Sequence, residues 1–465
     1  MPVIERTPDI FGIENEYTCM LIFPDDVIYE IVGKCHSVDH KLGLYAEPKL
    51  KGTDNIHEEA LNEALIELGL YVTNDGMLSN GARFYIDPSG PEYATPETPT
   101  AEDAVHRTYD GDDIMLGVFG VLRDWGILKG FQVNRRNVDH NRNSRAVHLN
   151  TMTKLPVRPS EYVIDALATL NVVKGAMFGS GGLLIDETGQ THFHHSPRLS
   201  LTDEKDMKST DFKFRPLVRH PFKQEGEGFA RVETVTSDAL NFAWPLRASM
   251  VVTNALIRMI ELREDLNIPS LLDPISAAME VGRYGYAGRI DIYKDSDYEP
   301  DEKPLKVLAD MCKLILKTDE KEGVLNDEAH QVLPEIIDVA DRMDLDPMSV
   351  TAQVESVARL TTMEKKMAKS GITLDTEKMC RFDYAWDWLG GGIAERLRNK
   401  NLAGWQGFKQ KHSSLTAEKR RNVPPPDTRA KIRGDLIKDR KGRVVVHWSG
   451  TAENYYSPLD TTPYN

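Results

Sequence analysis

Cysteine is scarce: Cys19, Cys35, Cys312 and Cys380 are the only four in 465 residues, and they stand far apart. No C-x-x-C pair occurs, so the spacing supports neither a zinc site nor a disulfide framework. No apolar run reaches the ~20 residues of a membrane helix, and the first residues lack the apolar core of a secretion signal. A reducing cytoplasm is therefore the expected location. Positive charge is also in deficit. Lys and Arg number 57 against 72 Asp and Glu, a formal net charge of −15. That balance argues against general binding to nucleic acid or to an anionic membrane. Gly179-Ser180-Gly181-Gly182 lacks the following Lys-Ser/Thr of a P-loop and reads as a turn. His192-Phe193-His194-His195 has no third ligand at a metal spacing and reads as a polar strand face. Internal repeats and low-complexity tracts are absent. The 40% hydrophobic and 28% charged content is that of a globular chain, with length for one large and one small domain or for a single large α+β unit.

What the chain does contain is a concentration of chemistry in residues 78–97. Asn80-Gly81 is a turn dipeptide, since Gly takes φ > 0 at no steric cost. Arg83, Tyr85 and Asp87 then alternate with Ala82, Phe84 and Ile86, which predicts a strand with one polar and one apolar face. Pro88-Ser89-Gly90-Pro91 breaks the strand, and Glu92, Thr95 and Glu97 follow. Such alternation fits a solvated strand. It also fits a metal–nucleotide site, where carboxylates hold Mg²⁺, Arg holds phosphate and one acid is left for proton transfer. Nearer the N-terminus, Glu14 and Glu16 lie two apart on a predicted strand that runs on through Tyr17 to Phe23. They point the same way, so a divalent cation would relieve their repulsion, although a surface strand with two acids has the same pattern.

The remainder reads mostly as scaffold. Residues 24–56 are irregular and predict a loop or lid. Helices are expected at 57–68, from Thr100 as N-cap towards Trp125 with Gly111 as a weak point, at 160–178, and from a Ser237-Asp238 cap to Leu262. Residues 269–369 read as largely helical, over 305–316, 327–343 and 349–369. Strands are expected at 215–220 and 229–235. Arg145–Asn150 predicts a strand with His148 and Asn150 on one face. They follow a run of Arg and Asn that suits phosphate contact or substrate orientation, while a lone strand histidine is also commonly structural. Phe382–Gly392 is an aromatic stretch that ends in glycines, with a short basic helix after it. Near the C-terminus, Arg429 and Arg433 share a helix face at i,i+4, where they repel unless an anion or acids compensate them. Together with Trp448 that helix could close over a nucleotide, or it could be plain surface basicity.

Several short motifs, in order along the chain, resemble the Pup ligase and depupylase family. Gly12-Ile13-Glu14-Asn15-Glu16-Tyr17 is similar to its G-x-E-x-E-[FY] strand. Asn80–Asp87 with Pro91–Glu97 is similar to N-G-A-R-L-Y-x-D…H-P-E-Y. Asn137-Val138-Asp139, His148-Leu149-Asn150 and Asp427–Asp435 resemble N-[TV]-D, H-E-N and T-R-A-x-x-R-G-E. The resemblance implies an α+β fold, with a glutamine-synthetase-like antiparallel sheet packed by helices. It also implies a catalytic domain over 1–395 and a small C-terminal domain over 396–465 that contributes to the nucleotide site. Residue by residue, it implies Mg²⁺ ligation at Glu14, Tyr85 and Glu92, with Glu16 beside them, and ATP contact at Arg83 and Thr95, with Trp448 and Arg433 from the C-terminal part. Asp87 matches the catalytic aspartate. Glu97, His148, Asn150, Arg231 and Glu233 are additional candidates. The implied partners are a small Pup-like modifier and the lysines of acceptor proteins.

The chain departs from the family pattern where Gly90, Leu149, Glu233 and Asp435 stand for His, Glu, His and Glu. Gly12-Ile13-Glu14 and Tyr93-Ala94-Thr95 lean to the ligase. The Asp87–Glu92 spacing and the long 24–77 segment lean to the depupylase, which hydrolyses the isopeptide or a C-terminal glutamine amide. The expected activity is ATP-dependent ligation, with the hydrolase and a non-catalytic nucleotide-binding relative as alternatives.

Overall fold

The structure is a computed structural model that describes residues 7–24, 28–30, 54–87, 90–138, 144–145, 147–186, 188–207, 215–225, 228–263, 265–294, 297–399, 420–448 and 450–451. Most of the expected 24–56 loop and the polar linker before Pro424 lie outside these residues. The chain divides into two compact units. One gathers Gly12–Arg136, Trp388–Gly392 and His412–Asn465; the other gathers Met1–Phe11, Asn137–Asp387 and Ile393–Lys411.

In the first unit β1 (Phe11–Glu16) alternates buried and half-buried residues, the period-two pattern expected from its sequence. The strand does not run on through Tyr17. The Tyr17 amide donates to the Pro91 carbonyl at 2.8 Å and its hydroxyl to Asp112 at 3.0 Å. Those bonds turn the chain out of one sheet before β2 (Thr18–Ile22) enters another, where it pairs antiparallel with β3 (Ile28–Glu30). A helix α1 (Asp54–Glu67) precedes the hairpin of β4 (Arg83–Asp87) and β5 (Gly90–Ala94). β5 pairs antiparallel with both β4 and β1. Helix α2 (Ala101–Asp124) starts at Thr100, whose hydroxyl accepts from the Asp103 amide at 3.1 Å. It runs unbroken through Gly111, where a Cβ would meet the Tyr93 ring at 2.3 Å. Gly111 is therefore a packing contact and not a weak point. β6 (Gly130–Asn134) pairs with β2. Leu61, Leu65, Phe84, Tyr93, Met115 and Phe119 join the helices and sheets in one core. The C-terminal helix (Arg429–Asp439) is capped by Thr428.

In the second unit β7 (Val147–Thr153) is followed by α3 (Glu161–Phe178), capped by Ser160 as expected. β8 (Gly182–Ile185) and β9 (Thr191–His194) form a hairpin, and β10 (Glu204–Met207) pairs in parallel with β11 (Pro216–Arg219). β12 (Lys223–Gln224) and β13 (Ala230–Thr234) continue antiparallel to β7. His192 pairs with Asp186, His194 with the Ser200 hydroxyl and His195 with the Ser356 hydroxyl. The three rings therefore serve three separate structural contacts. Helix α4 (Ala243–Leu262) begins later than a Ser237-Asp238 cap would set it. Asp238 is buried and accepts instead from the Ser180 and Arg198 amides, each at 3.0 Å. The 269–369 region is less helical than its sequence suggests. Strands at Ser270–Leu271, Ile290–Lys294 and Asp297–Glu302 form a small sheet, because Ile290 and Ile292 alternate inward at period two. Its α-helices are Pro274–Tyr284, Pro304–Glu322, Asp327–Leu345 and Glu355–Ser370. The aromatic stretch is fixed by buried ions. Arg359 bridges Asp383 at 2.7 Å and Asp387 at 3.0 Å, and Trp386 donates to Glu355 at 2.9 Å.

Among the described residues no helix is long and apolar enough to cross a membrane.

Candidate active site

The register of β1, β5 and β4 builds the site. Glu16 stands opposite Glu92, and Glu92 opposite Tyr85; one step along, Glu14 stands opposite Ala94, and Ala94 opposite Arg83. Directly opposed residues of antiparallel strands share a face and stand roughly 5 Å apart at Cβ. Glu14, Glu16, Tyr85, Arg83 and Glu92 therefore occupy one patch, although they come from three strands. Glu92 is only 3% exposed. Asp87 ends β4 in register with Gly90.

The electrostatics of the patch follow from its composition. Burial, and then the charges of Glu92 and Glu14, push the Tyr85 phenol far above its ordinary 10, with Arg83 opposing. The phenol stays protonated and is hydrogen-bonded to Glu92. The Arg83 guanidinium lies 4.1 Å over the Tyr85 ring, while its Nε donates to the Asp75 carbonyl at 2.9 Å. This holds a cation beside the carboxylates. Thr95 is tied to β1 in both directions: Oγ1 accepts from the Ile13 amide at 3.0 Å, and its amide donates to the Ile13 carbonyl at 2.8 Å. Glu14, Glu92 and the Tyr85 phenol are close enough to act on one another and offer only oxygen donors, the chemistry that a hard divalent cation such as Mg²⁺ takes. The residues present fit that ion.

The C-terminal helix adds a second cluster. Arg429 Nε donates to Glu97 Oε1 at 2.7 Å, and Arg433 Nη2 to Glu97 Oε2 at 2.5 Å. Glu97 is thus the acid that compensates the two arginines. Burial alone would raise its carboxyl, but Arg433 and Arg429 outweigh this and hold it at about 2. Arg433 also donates to the Gly81 carbonyl from Nε at 3.2 Å and Nη2 at 2.6 Å. Its Nη1 donates to the Trp448 carbonyl at 3.0 Å, and its guanidinium carbon lies 4.6 Å from the Trp448 ring centroid.

Of the remaining candidates, His148, Asn150, Arg231 and Glu233 lie in the other unit. Asn150 stands opposite Glu233 across β7 and β13. Glu233 is engaged by Arg219 at 2.9 Å, Lys223 at 3.1 Å and His148 Nδ1 at 3.4 Å. Burial opposes its ionisation, but His148 and the neighbouring cations hold its carboxyl well below the usual range. Arg231 pairs with Glu225 at 3.2 Å. Leu149 is buried in the apolar core. Sequence reasoning missed Arg219 and Lys223. Lys223 comes to stand opposite Arg231 only through the β12–β13 register, which the sequence does not show.

The chain matches the Pup-ligase protein family over residues 9–452. It belongs to the Pup-ligase family. A similar member is the Pup–protein ligase of Xylanimonas cellulosilytica, 24% identical over 390 residues, or 80% of this chain and 82% of that one. The fold of this Pup-ligase family chain is shared with two solved structures. The ligase PafA in complex with the prokaryotic ubiquitin-like protein Pup has a TM-score of 0.74 at 18% identity, over 98% of this chain and 90% of that one. PafA in complex with ADP has a TM-score of 0.69 at 18% identity, over 92% and 95%. The α+β class expected from the motifs is the class found.

Proposed function

We propose that this chain is an ATP-dependent ligase of the cytoplasm. It joins the side-chain carboxylate of a C-terminal glutamate on a small Pup-like protein to a lysine amine of an acceptor protein. The observation that carries this reading is the β1–β5–β4 face, which Glu14, Glu16, Glu92 and Tyr85 share with Arg83 in register, in a chain whose family match spans 9–452.

The chemistry has two transfers. The γ-phosphoryl group of ATP passes to a glutamate carboxylate oxygen and ADP departs; the lysine nitrogen then forms the amide bond while the C–O bond to phosphate breaks. Mg²⁺, held by Glu14, Glu92 and Tyr85 with Glu16 beside them, would offset charge on the phosphates. Arg83, held between Asp75 and Tyr85, offsets the charge that develops on the phosphoryl oxygens. Thr95 and Trp448 are assigned to the nucleotide, with the small domain of 396–465 contributing the latter. Asp87 takes the proton from the incoming ammonium, because only the neutral amine is nucleophilic. His148, Asn150, Arg231 and Glu233 are assigned to substrate orientation.

The test is phosphate release measured with a modifier ending in glutamate and an amine acceptor. Release that requires both is expected. Ammonia release from a glutamine-tailed modifier, with nucleotide unspent, would favour the hydrolase instead, and no binding of Mg-ATP would contradict both.

A further inference from the structure

The Thr428–Gly434 run docks on the ends of the β4–β5 hairpin, and each residue type in it has a task there. Thr428 Oγ1 donates to the Glu97 carbonyl at 2.9 Å. Arg429 binds the Glu97 carboxylate. Ala430 faces Gly81, whose added Cβ would meet Ala430 Cβ and carbonyl oxygen at 2.9 Å each. Arg433 binds the Gly81 carbonyl and Glu97 together. Gly434 lies so close to the Ser79 carbonyl that a Cβ would come within 2.6 Å of it. Gly81 precedes Arg83 by two residues and Glu97 follows Thr95 by two. The contacts thus grip the open end of the hairpin, while Asp87 lies at the other end of β4, about 14 Å away at the usual strand rise.

An arginine that reached a phosphate would need donors to spare. Arg433 has five N–H groups. Its Nε, Nη1 and Nη2 all donate within the protein, to Gly81, Trp448 and Glu97. Its guanidinium carbon lies over the Trp448 ring, 4.6 Å from the centroid.

We propose that Glu97 and Arg433 are positioning residues for the nucleotide. They form a clamp that fixes Arg83 and Thr95 at the open end of the hairpin and holds the Trp448 ring in place, without themselves contacting phosphate. This rests on the ATP-dependent reading above.

The clamp and simple electrostatics predict opposite effects of losing the Glu97 charge. Removing a negative charge near an anionic ligand strengthens binding when charge alone matters. If Arg433 were a phosphate ligand restrained by Glu97, Glu97→Gln would release it and tighten binding as well. The clamp predicts the reverse. Mg-ATP affinity is to be measured by titration calorimetry on the full chain, as wild type, Glu97→Gln and Arg433→Lys. An increase in Kd of about tenfold is expected for both variants, since Lys keeps the charge but not the planar fork. In turnover assays the KM for ATP should rise while kcat at saturating ATP falls less than about threefold, as for lost ground-state binding. Thermal melts identify a variant that has not folded, in which case the other decides. Unchanged or tighter binding by a folded Glu97→Gln or Arg433→Lys overturns the clamp alone. A wild-type chain that does not bind Mg-ATP overturns the clamp together with the function on which it rests.

Discussion

At Asp87 the proposed division of labour has its sharpest consequence. The residue ends β4 beside Tyr85 and Glu92 but outside the Glu97–Arg433 clamp. Asp87→Asn should lower kcat at least about 100-fold, the usual scale of a lost general base, and leave the Kd for Mg-ATP within about twofold. Turnover near wild type would remove Asp87 from the chemistry. A buried group with no role in the reaction gives a separate test of the packing. Lys174 on α3 is buried and donates to the Thr253 hydroxyl at 2.9 Å; burial brings it from 10.5 down to about 7. Its folded value lies below its unfolded one, so the native state carries a penalty that is absent above pH 10.5. The penalty grows as pH falls and is complete below about 7. Lys174→Met should therefore raise the urea midpoint, and by more at pH 6 than at pH 10. At this scale the sequence was informative where a residue type sits in a strand rhythm, as with Arg83, Tyr85 and Asp87. It was silent where a partner is remote: nothing near Arg429 or Arg433 announces Glu97, more than 300 residues earlier.

Elements carry the next level of consequence. The Asn80-Gly81 turn was legible from its dipeptide, and Gly81 has φ +83°. What was not legible is that the C-terminal helix packs against it. Gly81→Ala should cost about 2 kcal/mol or more, from the left-handed backbone and the clash with Ala430 together, measured by equilibrium unfolding. The docking of this helix should also be acid-sensitive. Glu97 has a folded value of about 2 against an ordinary 4.5. Its stabilisation is therefore fully present above 4.5 and lost as pH falls towards 2, which Arg433→Lys should make milder. Alternation predicted β1, β4, β11 and β13, because one buried face forces period two. It failed at Tyr17, whose hydroxyl donates to the Asp112 carboxylate, and at 290–302, where a small hairpin lies among amphipathic helices; the Ser237-Asp238 cap failed because Asp238 accepts from the Ser180 and Arg198 amides.

For the whole molecule, family and fold class were readable because several short motifs fall in order, and register then explains why they are kept. Glu14 and Glu16, Arg83 through Asp87, and Glu92 are distant in sequence but adjacent across β1, β5 and β4. The T-R-A-x-x-R-G-like run binds the ends of that hairpin. The departures at Leu149 and Glu233 fall in the other unit, where one is core and the other collects Arg219, Lys223 and His148. Gly90 departs within the β4–β5 hairpin itself, opposite Asp87. The most direct test of the central claim is phosphate release by the full chain with Mg-ATP, a glutamate-tailed modifier and a lysine acceptor. The account predicts one phosphate released per isopeptide bond formed, and none when modifier or acceptor is omitted. Isopeptide or glutamine-amide hydrolysis without nucleotide consumption would contradict it.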